Sequence, residues 1–474
     1  MALLFCALLG SVLASGVQPS SGPPAPFGPV PTARQLEWYS REIIAFFHFG
    51  INTFGDEVNE GDGTASPSIF APSNLDCGQW MKTLKRAGIP CGILVAKHAD
   101  GFCNWPSAYT QYSVKNSPWK GGKGDVVREF TDACKTAGIK AGIYLGPHDR
   151  REPTYGTAAY ADHYANQLTE LMTNYGPIWE IWWDGAGADF LTTDFYTKWA
   201  AIVHKTQPQC VFFGTKNSYP FADCRWVGNE SGKAGDPCWS TINPSSIRDE
   251  SEHIQDLNRG QLDGTAYIPA EVDVSIRPSW FYHASEDGRV KSVKELIDLY
   301  CDSVGHNSVL LLNFPPDRRG LIPDIDAKNA AGLHDWIRKT FSQNLARGAK
   351  ITSLHPRGNG FSASNLVDKR EDTYYASADG FNSDVIEFDL GKAKTFDCLM
   401  IQEAIQLGHR TTSWSAEYSN DGANWTPVPN ASGKQSIGHK WIVRFDPLTA
   451  SHIRLNLAGR APAAIHTFGL YKQP

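Results

Sequence analysis

From residue 34 to about 340 the chain repeats one pattern: a short apolar run, then a stretch with helical spacing. Ile43–Phe47 is the first run and stops at His48-Phe-Gly50; a helix is expected around Gln79–Ala87. Cys91–Ala96 comes next, ending at Lys97-His98, and Phe130, Ala133, Cys134 and Ala137 then share one helical face. Ala141–Leu145 reads as the third strand, before Gly146-Pro-His148-Asp149, and Leu168, Leu171, Met172 and Tyr175 repeat the helical spacing. The fourth run, Ile178–Trp183, is apolar apart from Glu180, follows the Gly176-Pro177 turn, and hands one carboxylate, Asp184, into a glycine-rich loop. A helix near Phe195–Lys205 leads to Val211–Phe213, and Arg225–Val227 and Tyr267–Glu271 are read as the sixth and seventh strands. Val293, Leu296, Ile297, Tyr300, Cys301 and Val304 form the clearest amphipathic helix, before Val309–Leu312 and a last helix over Asp326–Lys339.

Eight such strands with intervening helices are the α/β pattern of a TIM-like (β/α)8 barrel, over residues 34–342. No glycine-rich phosphate fingerprint opens the first helix, which weighs against a dinucleotide-binding sheet. After Asn344 helical spacing disappears. Short strands at Asp384–Leu390, Phe396–Gln402, Ser413–Tyr418, Trp441–Phe445 and His452–Leu457, with the turn Asn420-Asp-Gly422, predict an all-β jelly-roll sandwich over residues 343–474. Residues 1–16 read as a signal peptide, though without a basic start, and 17–33 as an extended Pro-rich leader. A secreted protein is therefore expected, extracellular or in a cell wall or lysosome-like compartment. No run of 18 apolar residues predicts a membrane span. A net charge of −6 offers no basic stripe for nucleic acid. Removing residues 1–16 takes Cys6 and leaves an odd number of cysteines; Cys91 and Cys134 read as core, and Cys224 and Cys238 bracket a loop as candidates for a pair. Asn424-Trp-Thr426 and Asn430-Ala-Ser432 are candidate glycan acceptors.

Candidate chemistry gathers at one register. His48, His98, Asp184, Glu230 and Glu271 all fall at predicted carboxyl ends of strands, which in a closed barrel form a single rim. His98-Ala-Asp100 is not a zinc spacing and no paired His or Cys motif occurs, so neither metal nor cofactor is expected. A G-x-S-x-G nucleophile elbow is absent. Carboxylates, histidines and 15 tryptophans remain, the groups with which two acids flanking a glycosidic bond hydrolyse it.

The motifs narrow this further. Phe46-Phe-His48-Phe-Gly-Ile-Asn-Thr-Phe54, Ala96-Lys-His98-Ala-Asp-Gly-Phe102, Trp182-Trp-Asp184-Gly-Ala186, Trp226-Val-Gly-Asn-Glu230 and Glu271-Val-Asp-Val-Ser-Ile-Arg-Pro-Ser-Trp280-Phe-Tyr-His283 resemble glycoside hydrolase family 29, the α-L-fucosidases, in particular the branch acting on α-1,3/1,4 linkages. Ile386-Glu-Phe-Asp-Leu-Gly391 and Ser415–Trp425 resemble a discoidin-like (F5/8 type C) module. The resemblance implies Asp184 as nucleophile and Glu230 as acid/base, with Glu271 the runner-up for that role. It also implies substrate contacts from His48, His98, His148, Glu60, Trp183, Glu271, Arg277 and Trp280; Glu271 itself reads more readily as a structural or sugar-orienting carboxylate paired with Arg277 than as the acid/base. The expected partners are fucosylated oligosaccharides or glycoproteins; oligomeric state is not legible. Three departures stand out: Asn59-Glu60 where the family has Glu-Trp, His148 where relatives carry Trp, and Ala99 where many carry a second His. An α-L-galactosidase and a catalytically inactive fucose lectin stay open as alternatives. Asn229-Glu-Ser231 is formally a glycan acceptor, but a glycan there would block the cleft, so it is expected to be unused.

Overall fold

The computed structural model describes residues 22–55, 61–247 and 250–474; the signal-peptide reading and Asn59-Glu60 lie outside them. Eight parallel strands close a barrel: β1 (Ile43–Phe47), β2 (Cys91–Lys97), β3 (Lys140–Leu145), β4 (Glu180–Trp182), β5 (Val211–Gly214), β6 (Cys224–Trp226), β7 (Ala270–Ser275) and β8 (Val309–Asn313). Each pairs with its chain neighbours, and β8 returns to β1. Helices α1 (Ala33–Tyr39), α2 (Cys77–Arg86), α3 (Val126–Ala137), α4 (Tyr160–Asn174), α5 (Thr193–Thr206), α6 (Ile254–Arg259), α7 (Val293–Ser303) and α8 (Asp324–Thr340) accompany it. Asp76 and Asp125 cap α2 and α3 through the amides of Gln79 and Arg128 at 3.0 and 2.8 Å, satisfying donors that a helix start leaves bare.

Alternation along the strands separates two cores. Ile44, Phe46, Ile93, Val95, Tyr144, Trp182, Phe213 and Leu311 pack inside the barrel. Ala45, Phe47, Leu94, Ile143, Ile181, Trp183, Leu310 and Leu312 face the helices.

The seventh strand differs from its sequence reading. Ala266–Tyr267 leaves the barrel and forms a small two-stranded antiparallel sheet with Thr241–Ile242. Pro269, which has no N–H to give a ladder, separates that sheet from β7, which begins at Ala270. The true carboxyl end is therefore Ser275, and Glu271 sits near the start of its strand. The long β6–β7 connection is tied down by Arg225, fully buried, whose guanidinium donates to the carbonyls of Leu257, Ile268 and Trp239.

The C-terminal part is an antiparallel sheet domain built on two long strands, Ser383–Glu403 and Trp441–Gly459. The sequence divides each of these in two because charged and turn-prone residues interrupt the apolar pattern. The ladder nevertheless continues across those points, with a register shift between Asp389 and Lys394. Lys350–Ser353, Tyr375–Ala376, Thr411–Ser419, Thr426–Pro427 and Ala464–Tyr471 complete it. The described part of the Pro-rich leader lies along this domain: Phe27 N donates to Leu407 O at 2.9 Å, and Arg410 Nη1 to Ala25 O at 2.8 Å.

The domain packs on the barrel end opposite the strand carboxyl termini. Asn307, just before β8 and in the left-handed region (φ 59°), joins the two parts. Its Nδ2 donates to Cys238 O and Ser240 Oγ at 2.8 and 3.0 Å, and its Oδ1 accepts from His439 N at 2.7 Å. Lys440 pairs with Glu42, and Arg444 with Asp298 at 2.6 Å. The nine described cysteines are all buried and free, Cys224 and Cys238 included, so that candidate pair is not formed.

Candidate active site

A cavity of about 350 Å³ opens at the carboxyl ends of the strands. Alternation explains which groups reach it. On the β4 segment Glu180, Trp182 and Asp184 point inward, while Ile181 and Trp183 point out. Asp184 lines the cavity two residues past the strand end. Its Oδ2 accepts from Tyr144 Oη at 2.8 Å and its Oδ1 from Ala186 N at 2.8 Å, so both oxygens are oriented. Glu230, in the loop after β6, lines the same cavity; Trp280 Nε1 donates to its Oε2 at 3.2 Å.

His48 ends β1 and His98 ends β2, and their rings lie 5.6 Å apart at the cavity wall. His48 Nδ1 lies 2.9 Å from Asn313 Oδ1. Burial and then the neighbouring His98 hold the His48 imidazole well below its ordinary range, so it stays neutral. Trp280 packs 5.0 Å from His48, and its carbonyl accepts from Asn313 Nδ2 at 2.8 Å. His98 stacks on Tyr144, and Tyr144 on Trp182, which lies flat against Phe213 with ring centres 3.8 Å apart.

Three groups expected at the substrate, Trp183, Glu271 and Arg277, are fully buried elsewhere, and a fourth, His148, is half-buried beside the loop that follows Asp184. Trp183 is fully buried among Tyr196 and Phe212 on the helix side, because it is one residue out of phase with Asp184. Glu271 is fully buried within the barrel, where its Oε1 accepts from Trp182 Nε1 at 2.8 Å; it does not line the cavity. The placement follows from the later end of β7. Arg277 does not pair with Glu271. Its Nε and Nη2 grip Asp326 on α8, each at 2.8 Å, and its Nη1 reaches Asp287 at 2.8 Å. His148 stacks on Tyr155 and packs against Gly187 in the loop after Asp184. A Cβ on Gly187, whose φ is +64°, would lie 2.0 Å from His148 Nδ1.

Sequence reasoning missed Asp273 and Glu250, both cavity-lining and buried. Asp273 Oδ1 accepts from Trp226 Nε1 at 3.0 Å. Burial, and then the charge of Glu230, push its carboxyl well above the carboxylate range. Its signal was present: with Ser275 as the strand end, period-two alternation puts Glu271, Asp273 and Ser275 on the inner face. Glu250 Oε1 accepts from Tyr219 Oη at 2.7 Å and Lys216 N at 2.9 Å, and burial raises it too. It lies in an irregular loop, where no periodicity marks a direction. Among the described lining residues no trio of histidine, cysteine or carboxylate donors converges on one point.

Residues 27–341 match the family described as alpha-L-fucosidase, and residues 350–468 match the F5/8 type C domain. The chain is 40% identical to a putative alpha-L-fucosidase 1 of Oryza sativa subsp. japonica, over 99% of this chain and 92% of that protein. It is 40% identical to alpha-L-fucosidase 1 of Arabidopsis thaliana over 89% and 83%. Among solved structures, a putative alpha-L-fucosidase from Bacteroides thetaiotaomicron superposes with a TM-score of 0.94 at 64% identity, covering 95% of this chain and 99% of that one. A Ruminococcus gnavus family 29 fucosidase in complex with fucose superposes with a TM-score of 0.87 at 32% identity, over 97% and 98%. With the family matched over most of the barrel and relatives aligned along nearly all of its length, the chain belongs to glycoside hydrolase family 29, the α-L-fucosidases, and carries an F5/8 type C domain behind its catalytic barrel.

Proposed function

We propose that this α-L-fucosidase is a retaining exo-enzyme that removes terminal α-1,3/1,4-linked L-fucose, with Asp184 as nucleophile and Glu230 as acid/base. The observation that carries the reading is that these two acids, from the ends of different strands, line one cavity. A volume of about 350 Å³ is at the small end for ligand sites and suits one sugar ring, hence cleavage at a chain terminus. Neutral imidazole at His48 and the adjacent His98 offer hydrogen bonds to ring hydroxyls, and the Trp280 indole offers an apolar face.

In the first step an Asp184 oxygen forms a bond to the anomeric carbon as the bond to the leaving oxygen breaks. Glu230 gives that oxygen its proton. In the second step Glu230 takes a proton from water, the water oxygen bonds to the anomeric carbon, and Asp184 leaves as carboxylate. Configuration is inverted twice and so retained. Tyr144 and the Ala186 amide hold the carboxylate in line for attack. Secretion of the mature chain, after loss of residues 1–16, belongs to the same reading and is checked by N-terminal sequencing of the exported protein.

Replacing Asp184 by Gly should lower turnover of an activated fucoside by orders of magnitude. Azide should then rescue it, giving fucosyl azide of inverted configuration, while Glu230→Ala gives azide of retained configuration. An Asp184→Gly enzyme that keeps near-native turnover would sink the assignment. A panel of fucosylated oligosaccharides differing only in linkage, with an aryl α-L-galactoside beside them, tests the specificity.

A further inference from the structure

Below the cavity lies a group of acids that the double displacement does not use. Glu180 on β4 and Glu271 on β7 reach toward each other inside the barrel, and both side chains are fully buried. One oxygen of each, together with Cys224 Sγ from the intervening strand side, lie within 4.8 Å of one another. Glu180 Oε1 takes a weak bond from that thiol at 3.8 Å, and Glu271 Oε1 takes the Trp182 indole N–H at 2.8 Å. The remaining oxygens, Glu180 Oε2 and Glu271 Oε2, make no hydrogen bond of good geometry among the described residues, though the Trp38 indole faces Glu271. Two buried carboxylates with unpartnered oxygens cannot both stay ionised at this distance; one proton between them satisfies both.

We propose that Glu180 and Glu271 share a single proton and act together as a positioning pair, holding Trp182 in place and, through the Trp182–Tyr144 stack and the Tyr144 hydroxyl, holding Asp184. This rests on the reading of Asp184 as nucleophile. Trp182 lines the cavity, and its ring is clamped between Tyr144 and Phe213. The Glu271 bond sets the rotation of the indole in that stack. Burial, and then the facing carboxylate, push Glu180 up; burial does the same to Glu271. The other titratable groups facing the pair are acids and thiols: Asp223, Asp273, Cys91, Cys210 and Cys224. Asp223 is already paired with Arg34 at 2.7 Å.

The proton is counted by stability. Between the ordinary carboxylate range and the raised folded one, the native pair holds one proton that the unfolded chain lacks, so wild type loses stability as pH rises. The unfolding constant of wild type relative to Glu180→Gln/Glu271→Gln should therefore rise about tenfold per pH unit from about pH 5 to 7. A flat ratio, or a hundredfold one, overturns the shared proton. If the double variant does not fold, infrared difference spectra of wild type against Glu180→Gln at neutral pH should lose one protonated-carboxyl band, and no lost band overturns it. Positioning is read by rescue. Glu271→Leu should lower kcat about ten- to a hundredfold, and Glu271→Gln, whose amide replaces the proton, should recover it to within about threefold. Full activity in Glu271→Leu, or no recovery in Glu271→Gln, overturns the positioning role. One divalent cation per chain by elemental analysis, absent from the double variant, overturns it as well. The stability and infrared arms do not involve turnover, so their outcome stands apart from any failure of the Asp184 assignment.

Discussion

Arg277 sits behind the catalytic face, and replacing it by Leu has a cost that the structure allows one to work out. The guanidinium is fully buried and meets Asp326, also fully buried, through two bonds of 2.8 Å, and Asp287, 55% exposed, through one. The Asp287 contact is screened by water and contributes about 0–1 kcal/mol. The Asp326 contact decides the outcome. Removing the arginine strands a carboxylate in the interior, which costs about 3–5 kcal/mol. The effect depends on pH. Burial already raises Asp326 against the pull of Arg277; without the cation it rises further. A folded acid held above its unfolded value binds a proton the unfolded chain lacks, so the variant loses stability as pH rises through that range. Urea unfolding of wild type and Arg277→Leu should therefore differ more at pH 8 than at pH 5. The double variant Arg277→Leu/Asp326→Leu, which leaves no buried charge, should regain most of the loss. A single variant within about 1 kcal/mol of wild type, or a double variant no better than the single, would refute the reasoning. The anchored loop also carries Trp280, so aryl-fucoside hydrolysis by Arg277→Leu is expected to show a raised KM.

Tyr144→Phe removes the hydroxyl that orients Asp184 Oδ2, a bond to a charged group, and should reduce kcat about ten- to a hundredfold with little change in KM in steady-state assays. Trp182→Phe should impair hydrolysis, whereas Trp183→Phe, on the helix side of the same strand, should lower the melting temperature and leave KM unchanged. Asn307→Ala removes buried bonds to Cys238, Ser240 and His439 and, at φ 59°, the polar side chain that makes asparagine tolerant of the left-handed region; a loss of about 3 kcal/mol or more in chemical denaturation is expected.

Much of the site was visible in the chain because the signals are local. An apolar run that ends in one polar group before glycine marks a strand end, and closure of the sheet brings such ends together. His48, His98 and Asp184 follow from that alone. Glu271 and Asp273 did not, because their placement depends on where β7 begins. That is decided by Pro269 and by the pairing of Ala266–Tyr267 with Thr241–Ile242, a contact remote in sequence. Arg277 shows the same limit. Read along the chain it was paired with Glu271, but its buried partner is Asp326 on α8, brought close by the packing of helix against barrel.

Composition and periodicity were enough to determine that this protein is a closed parallel barrel followed by an antiparallel sheet domain, since backbone hydrogen bonding and burial of apolar faces leave few other solutions for that alternation. Tertiary structure alone decided which face of each strand end meets the cavity, that Glu180 and Glu271 confront each other beneath it, and that the C-terminal domain locks onto the far end of the barrel through Asn307. Those outcomes depend on strand register and on contacts between distant segments, which are set by three-dimensional packing and leave no periodic trace in the order of residues.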